Sequence, residues 1–450
     1  MNSSLHALKL QPLTSPLQTE PPVHPDSTTI FSLEHARKLD ASDSMSSWRQ
    51  EFFIPQFKGE DVIYFTGNSL GLQPKKAREA LQMELDDWAK HGVEGHFKAQ
   101  HPWVDYHARF AKGLAHVTGA KPHEVVAMNA LTVNLHLLLV SFYRPEGQRR
   151  KIVCEAKAFP SDQYALASQI RFHGGNPAED LIEIQPRPGT HIIEEEDIEA
   201  VLEKHGDEIA LVMMGGVHYF SGQLLDMPRI ALAAHEAGAI CGFDLAHAAG
   251  NVQLSLHEWN VDFACWCSYK YLNSGPGAVG GAFIHERHVG REDIPRFEGW
   301  WGHDAKTRFL MEPHFESMGT AEAWQMSNAP VFNMAIHAAA LDQFLSAKAP
   351  NLRERGNRLT SYLEQAIQDV AKQNNVDLEI ITPSDPNRRG SQLSVVAHGF
   401  GKKLFDALTE RGVIADWREP NAIRMAPVPL YNSFEDISRF HKIFLEATSN

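Results

Sequence analysis

The 450-residue chain contains no apolar run approaching the roughly 20 residues that span a bilayer, so it offers no candidate membrane helix. Positive charge is in deficit. Lys and Arg number 42 against 56 Asp and Glu, a net charge of −14, which argues against nucleic acid and against an anionic membrane surface as partners. An anionic cofactor stays open, because a few local cations and backbone amides can outweigh the global field. Cysteine is scarce: Cys154, Cys241, Cys265 and Cys267 are the only four, all in apolar runs that read as buried strands and none at zinc spacing. Cys265 and Cys267 flank one tryptophan and so share a strand face, packed as small hydrophobes. That usage points to a reducing compartment, and the expected location is cytoplasmic. The first thirty residues have Lys9 as their only Lys or Arg and are rich in Pro, Ser and Thr. They match neither a secretory nor a transit segment and read as a flexible arm.

Histidine is abundant at 24 residues. His285-Glu-Arg-His288 has i, i+3 spacing, yet no third ligand is placed nearby and no His-Glu-x-x-His occurs, so no metal is expected. Gly215-Gly216 lacks the Gly-x-Gly-x-x-Gly setting of a dinucleotide site.

What is present is a series of apolar strands, each followed by a helical pattern. Residues 125–128 lead into an apolar helix at 133–143, 151–155 into 164–172, 209–214 into 228–237, and 239–244 into a second apolar run ending near 267. A further strand at 278–285 reads as antiparallel. Continuous apolar strands alternating with helices imply a mostly parallel sheet covered on both faces, an α/β architecture with ligands beyond the carboxyl ends of the strands. A helical pattern at 331–345 bridges to a second region with helices near 351–372, 403–411 and from 434, and strands at 378–382 and 392–396. The expected division is an arm and lead-in to the small domain at 1–63, a large domain at 64–335 and a smaller C-terminal domain at 336–450.

The chemistry-bearing residues fall at strand ends. Gly242-Phe-Asp-Leu-Ala-His247 delivers Asp244 and His247; Cys265-Trp-Cys-Ser-Tyr-Lys270 delivers Tyr269 and Lys270 ahead of a Gly/Pro loop. Two neighbouring parallel strands would thus bring an acid and an amine to one sheet edge, the pair that pyridoxal 5'-phosphate uses. The amine forms a Schiff base, and the carboxylate keeps the pyridine nitrogen protonated. Asp244 also reads as a helix cap, although a carboxylate among Phe243, Leu245 and Ala246 needs a cationic partner. His247 reads equally as a structural histidine. Thr132 is either a simple N-cap or, with the Leu131 amide, part of a phosphate site at a helix start. Phe159 suits the core or a stack on the pyridine ring, with Ser161 and Asp162 opening the next helix.

From about residue 64 to 431 the chain resembles the kynureninase family. The resemblance rests on Gly67-Asn-Ser-Leu-Gly-Leu-Gln-Pro74, Met128-Asn-Ala-Leu-Thr-Val-Asn134, Phe159-Pro-Ser-Asp162, Gly242-Phe-Asp-Leu-Ala-His247, Phe263-Ala-Cys-Trp-Cys-Ser-Tyr-Lys270 and Ile423-Arg-Met-Ala-Pro-Val-Pro-Leu-Tyr-Asn432. It implies a fold-type-I pyridoxal phosphate enzyme with a mostly parallel seven-stranded sheet. It also implies a cytoplasmic homodimer that cleaves L-kynurenine to anthranilate and alanine, and L-3-hydroxykynurenine to 3-hydroxyanthranilate and alanine, in tryptophan degradation and NAD biosynthesis. By position, Lys270 would hold the cofactor and Asp244 its ring nitrogen. Leu131, Thr132, Phe159, Pro160, Ser161, Asp162, Gly215, His247, Tyr269, Trp300 and Asn328 would surround it. Arg424 would grip the α-carboxylate, Ser69, His96 and Asn328 would take up substrate, and Tyr269 would act as acid–base group at the γ-carbonyl. Some members carry Ser where this chain has Gly215, so a hydroxyl contact near the phosphate is missing here.

Other readings of the same residues are an aminotransferase, a cysteine desulfurase, and a non-catalytic binding protein that kept the fold. A desulfurase needs a mobile loop cysteine, which the strand-borne cysteines do not supply. A binding protein has no use for a buried amine beside a carboxylate.

Overall fold

The computed structural model describes residues 27–449. Seven strands form the central sheet: β1 (Val125–Ala127), β2 (Lys151–Glu155), β3 (Leu181–Ile184), β4 (Ile209–Gly215), β5 (Ile240–Asp244), β6 (Phe263–Trp266) and β7 (Gly281–Ile284). Their spatial order is β1-β7-β6-β5-β4-β2-β3, and within this sheet β7 alone runs antiparallel to its neighbours. A second, antiparallel sheet follows, of β8 (Leu378–Ile380), β9 (Leu393–Ala397), β10 (Asp416–Arg418) and β11 (Ala422–Met425), ordered β8-β9-β11-β10. The helices used below are α1 (Leu33–Ser42), α2 (Lys76–His91), α3 (Leu131–Phe142), α4 (Pro160–Phe172), α5 (Met227–Glu236), α6 (Val331–Ala347), α7 (Ala349–Asn374) and α8 (Phe434–Thr448).

The period-2 alternation of the strands divides their side chains between two cores. Val153, Val212, Met214, Cys241, Phe243, Ala264 and Trp266 face one side; Ile152, Cys154, Leu211, Met213, Phe263 and Cys265 face the other. Because helices cover both faces, the strands are apolar throughout instead of alternating with polar residues. Gly242 has a packing reason: a Cβ there would run into the Phe263 ring of the adjacent strand. Helix α6 contributes Met334, Ala335, Leu341 and Phe344 to the first core, so that core runs past residue 335 to the turn at Lys348.

The arm expected at the N-terminus lies partly in residues 1–26, outside the described residues. From Phe31 onward the segment packs against the small domain. Phe31 and Ala36 are buried in the small-domain core with Leu363, Ile367, Ile437 and Phe440. Asp40 accepts hydrogen bonds from the Phe434 and Glu435 amides at 2.9 Å each, capping α8 from outside. Among the described residues no helix is long and apolar enough to cross a membrane.

Candidate active site

Strands β2, β4 and β5 and the turn after β6 end at one edge of the sheet, and a cleft opens there. It is lined by Leu131, Thr132, Glu155, Phe159, Ser161, Asp162, Gly215, Val217, Tyr219, Asp244, Ala246, His247, Tyr269 and Lys270. Ten of the residues singled out from the sequence therefore meet in one place. Pro160 is the first residue of α4 and exposed, outside the lining.

The turn carrying Lys270 is fixed by backbone. Gly71 N–H donates to the Tyr269 carbonyl at 2.8 Å, and a Cβ on Gly71 would collide with the Lys270 carbonyl and Asn273. The turn holding Ser69 is thereby pinned against Lys270, although Ser69 is not in the lining. Lys270 Nζ lies 3.0 Å from His247 Nε2 and 6.0 Å from the Phe159 ring centroid. Burial, then the charges of Lys270, Arg424 and Arg418, push His247 far below the usual histidine range, so it is neutral. Its Nδ1 is buried without a partner.

Asp244 is buried and its Oδ1 accepts from the Ala246 amide at 2.7 Å. It is both a turn cap and an acid in the cleft, which removes the choice between those readings. Burial pushes Asp244 up, against the pull of that amide and of Lys270. Asp162 is pushed up further, by burial and then by the Asp244 and Glu155 charges, and its Oδ1 is buried without a hydrogen-bond partner. Glu155, buried at the end of β2, accepts from the Gly215 amide at 3.1 and 3.2 Å, and burial raises it to about 7. Gly215 pairs in register with Asp244 and lines the same cleft as Leu131 and Thr132. Glu155, Val217, Tyr219 and Ala246 were not anticipated. Glu155 carried a signal, as a carboxylate at the end of an apolar strand.

At the other end, α3 begins at Leu131 with Ala130 in the cap position and no side chain bonded to the first-turn amides. Thr132 is thus not the cap; with Leu131 it lines the cleft, at a helix start whose first amides have no side-chain cap. Tyr269 is half-buried; burial, then the neighbouring Cys267, raises its phenol, which stays protonated. Arg424 lies on β11 behind the lining. Its Nη1 donates to the Tyr219 carbonyl at 2.6 Å, and Nη2 is paired with Asp416.

Besides Pro160, Ser69 and Arg424, three further predicted site residues are absent from the cleft lining. Trp300 is 48% exposed with its Nε1 donating to the Arg308 carbonyl, Asn328 is exposed just before α6, and His96 Nδ1 rests 2.9 Å from the Val93 carbonyl, edge-on to Trp103.

Fold and cleft together define a fold-type-I α/β enzyme of the pyridoxal phosphate class, with an amine and a carboxylate delivered to one edge of a parallel sheet. Among solved structures the chain is similar to the cystine C-S lyase C-DES (TM-score 0.72, 18% identity, covering 87% of this chain and 99% of that one). It is also similar to a cysteine desulfurase from Thermococcus onnurineus NA1 (TM-score 0.70, 18% identity, 86% and 94%). A C-DES variant in the same group carries glycine covalently linked to its PLP cofactor (TM-score 0.71, 17% identity, 86% and 96%). The profile of the kynureninase C-terminal domain matches residues 352–444. Kynureninase of Christiangramia forsetii is 55% identical over 410 residues, 91% of this chain and 96% of that protein, and kynureninase of Nematostella vectensis is 47% identical over 434 residues, 92% and 93%. The chain belongs to the kynureninase family. Its four cysteines are all buried, so the mobile thiol a desulfurase requires is missing despite the shared fold.

Proposed function

We propose that the chain binds pyridoxal 5'-phosphate in this cleft and hydrolyses L-kynurenine to anthranilate and L-alanine, and L-3-hydroxykynurenine to 3-hydroxyanthranilate and L-alanine. The supporting observation is a set of buried groups in want of partners: the free α3 amides, the unbonded His247 Nδ1 and Asp162 Oδ1, and an Asp244 carboxylate with one amide donor and an amine nearby. An anionic, cationic-ringed aldehyde fits that donor set. When bound, the cofactor supplies an aldehyde for the substrate amine and a protonated ring that takes up the electron pair left at Cα. Asp244 would hold negative charge at the ring nitrogen, with Asp162 beside it in the cleft lining. Thr132 and the α3 amides would hold the phosphate, and Phe159 would stack on the ring. Lys270 Nζ, kept beside a neutral His247, is placed to take and return the proton at Cα. Tyr269 keeps its proton and serves the γ-carbonyl oxygen while water adds to the adjacent carbon and Cβ–Cγ breaks. Arg424 offers a planar fork to the α-carboxylate.

The active unit in this reading is a homodimer. Leu85, Trp88, Val93, Phe97 and Phe332 are exposed on and around α2, and Trp300, Phe309, Leu310 and Met311 form a second apolar patch. Clusters of this kind are normally covered. His96 and Trp300 lie on these patches, and Asn328 is four residues before Phe332, so a second copy is the occupant that would bring them to a cleft. Sedimentation velocity is expected to give a dimer. Four buried free cysteines support a cytoplasmic setting.

Release of anthranilate and alanine from kynurenine tests the assignment, and no product from either substrate would refute it. The hydroxylated substrate is expected to be accepted at least as readily. His96, Ser327 and Asn328 are polar, and a buried group left unpaired typically costs about 1–3 kcal/mol. The preference is therefore tens-fold or less, because these groups are partly solvated. Asn328→Ala should shrink the ratio of kcat/KM values for the two substrates. A kynurenine preference untouched by that change would show that Asn328 does not sense the ring hydroxyl.

A further inference from the structure

The hairpin of β10 and β11 carries a charge imbalance. Asp416 stands opposite Arg424 in the ladder and accepts from Arg424 Nη2 and, at 3.2 Å, from Arg418 Nη2. Two guanidiniums thus share one carboxylate. Arg424 is 1% exposed, and the Nε atoms of both Arg418 and Arg424 are buried without a hydrogen-bond partner among the described residues. An unsatisfied buried charged donor is costly, and two beside a net positive charge mark a place for an anion with acceptor oxygens. The cluster sits directly behind the cleft wall. Arg424 is anchored to the carbonyl of Tyr219, a lining residue, and Arg418 is held beside it on the same Asp416 oxygen.

We propose that Arg418 is a second substrate-carboxylate residue, forming with Arg424 a two-guanidinium clamp in which Asp416 is the positioning residue for both forks. The clamp selects amino acids with a free carboxylate over their amides. Its sharing of one carboxylate matters: a second acid would neutralise the pair, whereas none would leave the two cations repelling each other. The inference rests on the cleft being a site for an amino-acid substrate.

The test compares calorimetric affinities of the purified holoenzyme for L-alanine and for L-alaninamide, which lacks the carboxylate. Losing one charge-assisted contact is expected to narrow the alanine-to-alaninamide ratio about tenfold in Arg418→Gln. Arg418→Lys, which keeps the charge and loses the planar fork, should give an intermediate ratio. Asp416→Asn should narrow the ratio as well, by letting both forks move. An unchanged ratio in Arg418→Gln, or equal weakening of both ligands, would overturn the clamp and leave Arg418 a structural partner of Asp416. If the unaltered protein does not cleave kynurenine, the proposed reaction fails while the ratio still reports on the clamp.

Discussion

Alanine at position 270 is expected to stop turnover, lowering kcat by on the order of a thousandfold or more. The amine has two tasks in this site, carrying the cofactor and moving the proton at Cα, and general-base catalysis alone typically contributes 10²–10⁴-fold. Few neighbours can substitute. His247, the polar group in contact with Nζ, is held neutral, but it is buried and already directed at Lys270. Kynurenine turnover in the variant is the measurement, and activity within tenfold of the unaltered protein would remove Lys270 from the mechanism. The fold should survive, because the turn is held by backbone contacts from Gly71 and Asn273, with no contribution from the lysine side chain.

Asp244→Asn should produce the second large effect, in two directions at once. Cofactor affinity is expected to fall about tenfold to a hundredfold, since a charge-assisted contact is worth roughly 1.5–3 kcal/mol. Exchange of the α-proton of L-alanine should slow by at least a hundredfold, because a ring that does not hold its proton is a poor electron sink. The cofactor-free protein should not lose stability. Asp244 is a buried carboxylate beside Asp162 and Glu155, and a neutral side chain relieves that crowding while its amide oxygen still accepts from Ala246. A structural cap would behave otherwise: stability would drop and exchange would be unchanged. That pattern would contradict the assignment.

The acid and the amine were legible because each ends a buried parallel strand, where an apolar run stops abruptly at a polar residue. Asp244 and Lys270 both follow that rule, and Glu155 obeys it too but was passed over in favour of the Phe159-Pro-Ser-Asp162 segment just after it. Helix α4 begins at Pro160, ahead of the expected 164, because proline at a first helical position fits the missing N–H and the fixed φ. The hairpin that carries Arg424 escaped notice: three- and four-residue strands are too short for alternation to show. Strand β3 was missed for the same reason at the sheet edge, where Leu181 and Glu183 are not fully buried. The packing of the segment from Phe31 was hidden by the Pro- and Ser-rich stretch before it. Trp300, Asn328 and His96 illustrate a different limit. Their place rested on family likeness alone, and within one chain they stay apart from the cleft, which is why the dimer enters the proposal.

The most direct test of the account is to reduce the purified holoenzyme with borohydride and map the modified peptide. The cofactor is expected to be fixed to the segment containing Tyr269 and Lys270, at Lys270, with one equivalent per chain and none in Lys270→Ala. Labelling of a different lysine, or a protein that carries no reducible cofactor at all, would contradict it.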